Sequence, residues 1–476
     1  MRSFVLPAVL LALLAPPFAS VCAEAPPAAA PAATAATGHG VVDVEPQHLQ
    51  SAFWIARIGD ADRVLMDARA IAAHNAALLR DDPAVHDLAG LPAVLARAEV
   101  AERISALSSL PQRTLYDASG TPVGASVLRA LLDNAAIAAI PEKIPLRFGM
   151  VTARADMRTF PGTLRVFSSA DDSDIDRFQE TALFPGTPLA LLHESRDGHW
   201  WFAVGPLYAA WIEKRHVAVG ERDTILAYQT RSPFVVVTGA RVRTVYNPEL
   251  PAVSEFPLEM GARVPLRADW PADKPVHGQH PYTSWVLDLP VRRADGSLDF
   301  APALLQRNAE VSPGYLPMTS ANLVAQGFRF LGERYGWGHS YNARDCSGFV
   351  AEVYRSLGVL LPRNSRDQAH SPVLQDVAYD AAQEREQRIA LLRTLEVGDL
   401  VYIPGHVMMV IGQTPAGPYV IHDTTGIGYL DAEGRLQRVP LNQVAVTPLL
   451  PLQADSERAT IDTIYSIQRV RAGATP

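Results

Sequence analysis

The sequence predicts an α+β protein whose C-terminal domain packs a helix on an antiparallel sheet, preceded by two small β-barrels and an N-terminal helical domain. Three observations support this prediction. Apolar residues at helical spacing follow Cys346, short β-rich runs fill about 147–310 and 398–423, and alanine-rich helical spacing fills about 41–145. With 476 residues, 48% of them hydrophobic, the chain is long enough for three or four domains.

The N-terminus predicts export. An apolar run follows a basic residue, and small residues precede Ala23. This is the pattern of a signal peptide over 1–23, too short in its apolar part to span a bilayer. Lipid attachment at Cys22 is the alternative, which the bulky Val21 before it disfavours. We therefore expect a periplasmic or cell-envelope protein.

Residues 24–40 are predicted to be an Ala/Pro-rich linker. Residues 41–146 are predicted to be a helical domain, with helices from Asp62 to Leu79 and from Ala93 to Leu107. Their charged residues are typical of a solvated helix face, and no catalytic grouping is found there.

Two segments, 147–225 and 226–310, each predict a barrel. In the first, the runs at 186–192, 199–204 and 209–212 are spaced like the later strands of a bacterial SH3-like barrel. The second copy is weaker.

A candidate nucleophile stands at the start of the predicted C-terminal helix. The run Asp345-Cys346-Ser347-Gly348-Phe349 places the only thiol expected in the mature chain in the first helical turn. Unpaired N–H groups and the helix dipole favour a thiolate there and can receive a developing oxyanion. The alternative is an inert buried cysteine, which leaves the flanking polar residues unexplained.

A candidate base follows further along the chain. Residues 398–412 predict a hairpin around a Pro-Gly turn, with His406 at the mouth of its second strand. The run 419–423 places His422 on the adjacent strand, and Asp423 takes its place if the register differs by one residue. The alternative for His406 is a turn residue that is present only because it tolerates the backbone conformation of the turn.

These motifs resemble those of the NlpC-type, papain-like cell-wall peptidases over about residues 311–450. In chain order, the matching segments are Tyr335-Gly336-Trp337-Gly338, Asp345-Cys346-Ser347-Gly348-Phe349, Leu361-Pro362-Arg363-Asn364-Ser365 with Gln368, Gly398-Asp399-Leu400 and Gly405-His406-Val407. The resemblance implies a papain-like catalytic domain over 311–476, with tandem SH3-like barrels before it.

The resemblance also implies a role for each site residue. Cys346 would be the nucleophile, His406 the base and His422 the third, orienting residue. Tyr335 would bind the oxyanion, and Asp345 and Ser347 would hold the stem peptide. Tyr208, in a loop of the first barrel, is a further candidate substrate contact, with an ordinary surface aromatic as the alternative. The alternative for Tyr335 is an aromatic residue that only contributes to packing. Arg363 is more typical of a structural ion pair, so we leave it outside the site.

The activity implied by the resemblance is that of an exported cysteine endopeptidase. It would hydrolyse the γ-D-glutamyl–diamino acid bond of peptidoglycan stem peptides or muropeptides through a thioester. A wall-binding amidase or acyltransferase of the same superfamily is an alternative, and so is an inactive wall-binding protein. Cys346 precedes His406, which argues against the branch with the opposite order, and neither residue is replaced, which argues against loss of activity.

Composition excludes several other classes. A net charge of −8 argues against a nucleic-acid partner. The 13 histidines form no paired-ligand motif, so neither a metal nor another cofactor is expected. Two cysteines, one of them in the signal peptide, leave no internal disulfide. No further apolar segment approaches membrane-spanning length, and we expect a monomer.

Overall fold

Our computed structural model describes residues 40–471, so the predicted signal peptide and nearly all of the predicted linker lie outside the described residues. Within this range, helices and strands are both present along the whole chain, in agreement with the predicted α+β class. No helix of the described part is long and apolar enough to cross a membrane.

Residues 41–146 divide their side chains between two cores. The elements are α1 (Ser51–Ile55), β1 (Val64–Met66), α2 (Ala68–Asp81), β2 (Val94–Ala96), α3 (Arg97–Leu107), α4 (Ala125–Asn134) and β3 (Lys143–Pro145). Trp54 is fully buried in the core of the C-terminal region, whereas Val100 and Ile104 are buried in the core of the first barrel. This segment therefore ties the two regions together, which a separately folded helical domain does not predict.

Two helices of this segment begin later than the sequence pattern indicates. Asp67 caps α2 by accepting a hydrogen bond of 2.8 Å from the Ala70 N–H, so the helix begins at Ala68 and the residues before it form β1. Similarly, α3 begins at Arg97, because the preceding residues form β2 and pair with β3. Short strands of this kind carry too few residues to show a period of two.

The first barrel region is a seven-stranded sheet. Its elements are β4 (Arg147–Val151), β5 (Ala155–Arg158), β6 (Gln179–Leu183), β7 (Pro188–Glu194), β8 (Trp200–Val204), β9 (Ala209–Glu213), β10 (Val217–Gly220) and the following α5 (Arg222–Tyr228). The strand order is β10-β4-β7-β8-β9-β5-β6. Strands β7, β8 and β9 coincide with the three predicted runs, and every residue of β8 is buried.

The region that follows has a core of its own. Its strands are β11 (Phe234–Val237), β12 (Arg241–Arg243), β13 (Pro257–Glu259), β14 (Arg263–Pro265), β15 (Ser284–Arg292), β16 (Leu298–Gln306) and β17 (Val311–Pro313). Val235, Leu287 and Leu305 are fully buried in that core. That this region is a second SH3-like barrel stays a prediction.

The C-terminal region packs helices on a six-stranded antiparallel sheet. Its elements are β18 (Met318–Thr319), α6 (Ser320–Phe328), α7 (Cys346–Ser356), α8 (Ser365–Ala369), β19 (Gln375–Asp376), α9 (Arg385–Leu392), β20 (Leu400–Ile403), β21 (His406–Thr414), β22 (Gly417–Leu430), β23 (Leu436–Pro448) and β24 (Ser466–Arg469). The sheet order is β19-β24-β20-β21-β22-β23, and β20 and β21 form the predicted hairpin.

Helix α7 is held against β21 and β22 by apolar burial. Phe349, Val350 and Val353 have no exposed surface and share one core with Met409 and Ile421. Each fully buried side chain of this size contributes about 1.5–3 kcal/mol relative to an exposed one. The packing fixes the N-terminus of α7 against the sheet, and this is where Cys346 lies.

Candidate active site

Cys346 is the first residue of α7 and is buried, with 6% of its surface exposed. Asp345 caps the helix by accepting a hydrogen bond of 2.8 Å from the Gly348 N–H. The Val407 N–H on β21 is close enough to the Cys346 sulfur to act on the pKa of the thiol, which it lowers. The sulfur therefore lies beside the start of β21, where His406 stands.

The thiol is protonated at neutral pH. Burial raises the pKa of Cys346 to about 12, the charge of Asp345 adds to the shift, and the Val407 N–H opposes it. Burial therefore opposes the effect of the helix N-terminus, which favours a thiolate. Asp345 adds to the opposition, because it brings a negative charge and also takes up the Gly348 N–H.

A hydrogen bond of 2.8 Å joins Nε2 of His406 to Nδ1 of His422. Nε2 of His422 in turn lies 3.0 Å from the Thr447 hydroxyl. Consecutive strand residues face opposite sides of a sheet, and the side chain that meets His406 is that of His422 and not that of Asp423. The register left open by the sequence is therefore the one that pairs the two imidazoles.

Both imidazoles are neutral at rest. Burial lowers the pKa of His406 to about 4. Burial, with the neighbouring His406, lowers the pKa of His422 well below its usual range. A neutral imidazole can take up the proton of a neutral thiol at the moment of attack, which is general-base catalysis.

Tyr335 lies on an extended segment at the edge of β23, where its N–H donates a 3.0 Å hydrogen bond to the Asn442 carbonyl. The side chain is buried, with 7% exposed. Burial raises the pKa of its phenol, and Cys346 and Asp345 add to the shift. The phenol therefore keeps its proton and can donate a hydrogen bond near the sulfur.

Asp345 and Ser347 are joined by a residue that the sequence analysis left outside the site. Arg363 donates to Asp345 at 2.7 and 3.2 Å and to the Ser347 hydroxyl at 3.0 Å. Burial alone would raise the pKa of Asp345, but Arg363 and His339 hold it below its usual range. A signal was present in the sequence, because a buried aspartate beside the nucleophile needs a cation and Arg363 is the arginine of the matching Leu-Pro-Arg-Asn-Ser segment.

Arg363 also connects the site to the first barrel. Its Nε donates a 2.6 Å hydrogen bond to the hydroxyl of Thr181 on β6. Gln179, on the same strand, donates to the Gly338 carbonyl at 2.9 Å and accepts from the Trp337 indole at 3.1 Å. Strand β6 therefore docks on the loop that leads to α7.

Tyr208 stands at the same corner of the first barrel. Its hydroxyl donates a 2.5 Å hydrogen bond to Glu180, whose other carboxyl oxygen accepts from Thr159 at 2.5 Å. Burial raises the pKa of the Tyr208 phenol, Glu180 adds to the shift, and Arg363 opposes it. The structure thus brings Tyr208 into the electrostatic neighbourhood of Arg363, and it adds Glu180, which the sequence analysis did not single out.

A buried ionic network also supports α7. His339 lies 3.1 Å from Glu352 on α7, and it also lies 2.9 Å from the guanidinium of Arg363. Arg344, with no exposed surface, bonds Glu352 at 2.5 Å and Glu259 on β13 at 2.6 Å. The helix that bears Cys346 is therefore tied by buried charges to both preceding β-rich regions.

Comparison with family models gives two matches. Residues 332–433 match the model of the NlpC/P60 family, and residues 165–213 match that of an SH3 domain of the SH3b1 type. The first match contains the nucleophile, base and orienting candidates, and the second contains Glu180 and Tyr208.

Proteins of known sequence and solved structures are similar to this chain. A curated relative, γ-D-glutamyl-L-lysine dipeptidyl-peptidase of Bacillus cereus (strain ATCC 10987 / NRS 248), is 25% identical over 245 residues, which are 49% of this chain and 60% of the relative. The match thus spans less than two thirds of that relative's length.

The solved structure of an NlpC/P60 endopeptidase from Photobacterium damselae subsp. piscicida has a TM-score of 0.70 at 18% identity and covers 88% of this chain and 96% of its own. This likeness shows a shared fold. An NlpC/P60 family protein from Bacillus cereus ATCC 10987 has a TM-score of 0.41 at 21% identity, over 61% of this chain and 82% of its own.

Proposed function

We propose that this chain, which carries a domain of the NlpC/P60 family of cell-wall cysteine peptidases together with an SH3 domain, is an exported cysteine endopeptidase. Its substrate is the γ-D-glutamyl–diamino acid bond of peptidoglycan stem peptides or muropeptides. The bond cleaved by the Bacillus cereus relative, as its name describes it, supports this choice.

One observation carries the proposal. The 2.8 Å hydrogen bond between His406 and His422 lies at the start of β21, whose next residue, Val407, neighbours the buried thiol of Cys346. A nucleophile, a base and a group that orients the base form an activated thiol site. An inactive wall-binding protein would not need this arrangement.

The reaction begins when His406 removes the proton of Cys346 as the sulfur attacks the γ-carbonyl carbon of D-glutamate. The C–N bond breaks, and His406 passes the proton to the amine of the diamino acid, which leaves. His406 next takes a proton from water, and the hydroxide breaks the thioester and releases the γ-carboxylate with the free thiol. Tyr335 and the N–H groups of Cys346 and Ser347 would stabilise the oxyanion.

In the proposed enzyme, the first barrel closes one end of the substrate-binding groove. This end receives the N-terminal L-alanine of the stem peptide. Asp345 is ionised by Arg363, and Glu180 with Tyr208 stands on the barrel side of Arg363. Carboxylates and hydroxyls of this kind suit a free ammonium group. We therefore propose that small released peptides with a free amine are preferred over intact wall.

Mass spectrometry of defined muropeptides, incubated with residues 24–476, tests the proposal. We expect cleavage after γ-D-glutamate and release of the diamino acid part. Cleavage between muramic acid and L-alanine would identify an amidase, and transfer of the acyl group to an added amine in place of water would identify an acyltransferase. If the folded protein neither cleaves any of the peptides nor transfers an acyl group from them, only a binding role remains.

A further inference from the structure

Asp423 is a buried carboxyl group for which the mechanism above has no use. It is fully buried, and neither carboxyl oxygen has a hydrogen-bond partner within the described residues. It follows His422 on β22 and pairs with Val444 on β23. A buried polar group without a partner costs stability, so its presence needs an explanation.

The side chain lies on the face of the sheet that α7 covers. Asp423 alternates with His422 along β22, and it shares its face with Ile421 and, across the strand pair, with Val444, which both pack in one core with α7. Its charged and titratable neighbours come from three segments on that face. They are Glu333 and Tyr335 on the edge segment, Arg344 on the loop before α7, and Asp345 and Cys346 at the start of α7.

No cation among these neighbours is free for Asp423. The guanidinium of Arg344 is occupied by three other carboxylates, at 2.5 to 2.6 Å, those of Glu259, Glu333 and Glu352. Arg363 is occupied by Asp345. A second negative charge beside Asp345, without a counterion or a hydrogen-bond donor, is strongly disfavoured in a buried site.

We propose that Asp423 is a positioning residue that works as a neutral carboxylic acid beneath Cys346, and that this neutrality permits negative charge to develop on the sulfur. Attack on a carbonyl builds negative charge on the sulfur and then on the carbonyl oxygen, and an ionised Asp423 would repel both. The inference rests on the proposed function only in taking Cys346 as the reacting thiol.

The electrostatic surroundings agree with this proposal. Burial raises the pKa of Asp423 to about 9, and Asp345 and Glu333 add to the shift while Arg344 opposes it. The acid is therefore neutral at physiological pH and ionises only in alkaline solution. Its ionisation and that of the thiol are expected to be coupled, because an ionised Asp423 raises the pKa of Cys346 and such an interaction acts in both directions.

Alkylation of Cys346 by iodoacetamide tests the coupling without any peptide substrate. We compare Asp423→Asn, which keeps the shape of the acid and cannot ionise, with wild type and with Asp431→Asn, a matched change in the distant part of the β22–β23 hairpin. A coupling of about one pKa unit is a tenfold effect. The rate ratio of Asp423→Asn to wild type should therefore rise between about pH 7.5 and about pH 10, by roughly tenfold, and the ratio for Asp431→Asn should stay constant.

If the ratio of the alkylation rates of Asp423→Asn and wild type does not change with pH over this range, the proposal is overturned. This holds both for a constant ratio near one and for a ratio that is already high at the lowest pH. If Asp423→Asn does not fold, the thiolate absorbance of the wild type carries the test alone. A coupled pair titrates in two steps, and a curve for a single group would contradict the proposal. Because the assay needs no turnover, failure to cleave muropeptides would count against the proposed function and not against this inference.

Discussion

Two nitrogen atoms of the Arg363 guanidinium donate hydrogen bonds to Asp345, at 2.7 and 3.2 Å. Arg363 thereby fixes the residue that caps α7. The same side chain reaches Thr181 of the first barrel at 2.6 Å. The helix terminus that carries Cys346 and the first barrel thus share one buried cation.

Replacing Arg363 with alanine should reduce both stability and activity. Loss of one partner of a buried ion pair leaves an uncompensated charge, here Asp345, and costs about 3 to 5 kcal/mol of unfolding free energy. Arg363→Lys should recover part of the stability and little of the activity, because a single ammonium cannot make both bonds. Urea denaturation and kcat/KM measure the two effects, with Arg366→Ala, on an exposed position of α8, as the control. Equal behaviour of the Arg363 and Arg366 variants would contradict this role.

Covalent chemistry at Cys346 predicts a complete dependence on the thiol. Cys346→Ala should lose all measurable turnover, and a thiol-alkylating reagent should inactivate the wild type. His406→Ala should lower kcat by about a thousandfold, because base catalysis is lost. Muropeptide cleavage measured by mass spectrometry checks both. Normal turnover by Cys346→Ala would refute the thiol mechanism.

His422 acts on His406 and not on the substrate, so its loss should cost less than loss of the base. We expect His422→Ala to lower kcat by roughly ten- to a hundredfold with little change in KM. Thr447→Val removes the hydroxyl that lies 3.0 Å from His422 and should have a smaller effect in the same direction. If Asp423→Ala lowers kcat more than His422→Ala does, the pairing of the two imidazoles is not what orients the base.

The sequence predicted the parts of the site that depend on neighbours along the chain. The start of α7 at Cys346 and the turn before His406 follow from local patterns, and His422 follows from the next strand. The register of β22, which separates His422 from Asp423, depends on pairing between strands and was left open for that reason.

What the sequence missed depends on contacts between regions far apart in the chain. Arg363 appeared to be an ordinary ion-pair residue, because its link to Thr181 joins positions from different domains. Similarly, Trp54 lies in the core of the C-terminal region although it stands near the start of the described chain. Helical spacing indicates that such a residue is buried but gives no indication of which core receives it.

Acid should weaken the fold and the activity over a defined pH range. Burial, with Arg363 as the second cause, lowers the pKa of His339 to about 4, and burial lowers that of His406 to about 4. Between about pH 6.5 and pH 4 the unfolded chain binds more protons than the folded one, so stability is full above this range and falls as the pH drops through it.

Urea denaturation at several pH values measures this slope, which His339→Gln should reduce. The acid limb of kcat/KM should lie near pH 4, because His406 must be unprotonated to act as a base. An acid limb at about pH 6.5, the ordinary histidine value, would show that the site is not desolvated as described.

The first barrel should select substrates with a free N-terminal amine. If Glu180 and Tyr208 receive that ammonium group, capping it removes the charge and the N–H donors that this corner of the site would bind. We expect L-Ala-γ-D-Glu-diaminopimelate to be cleaved at least a hundredfold faster than its N-acetylated form. The ratio of the cleavage rates of the free and acetylated peptides should fall in Glu180→Gln and Tyr208→Phe, mainly because the free peptide is cleaved more slowly. The control is Tyr246→Phe, on the exposed surface of the second β-rich region, which should leave this ratio unchanged. Equal rates on free and capped peptides, or faster digestion of intact sacculi, would show that the groove is open and that the barrel serves to hold the wall.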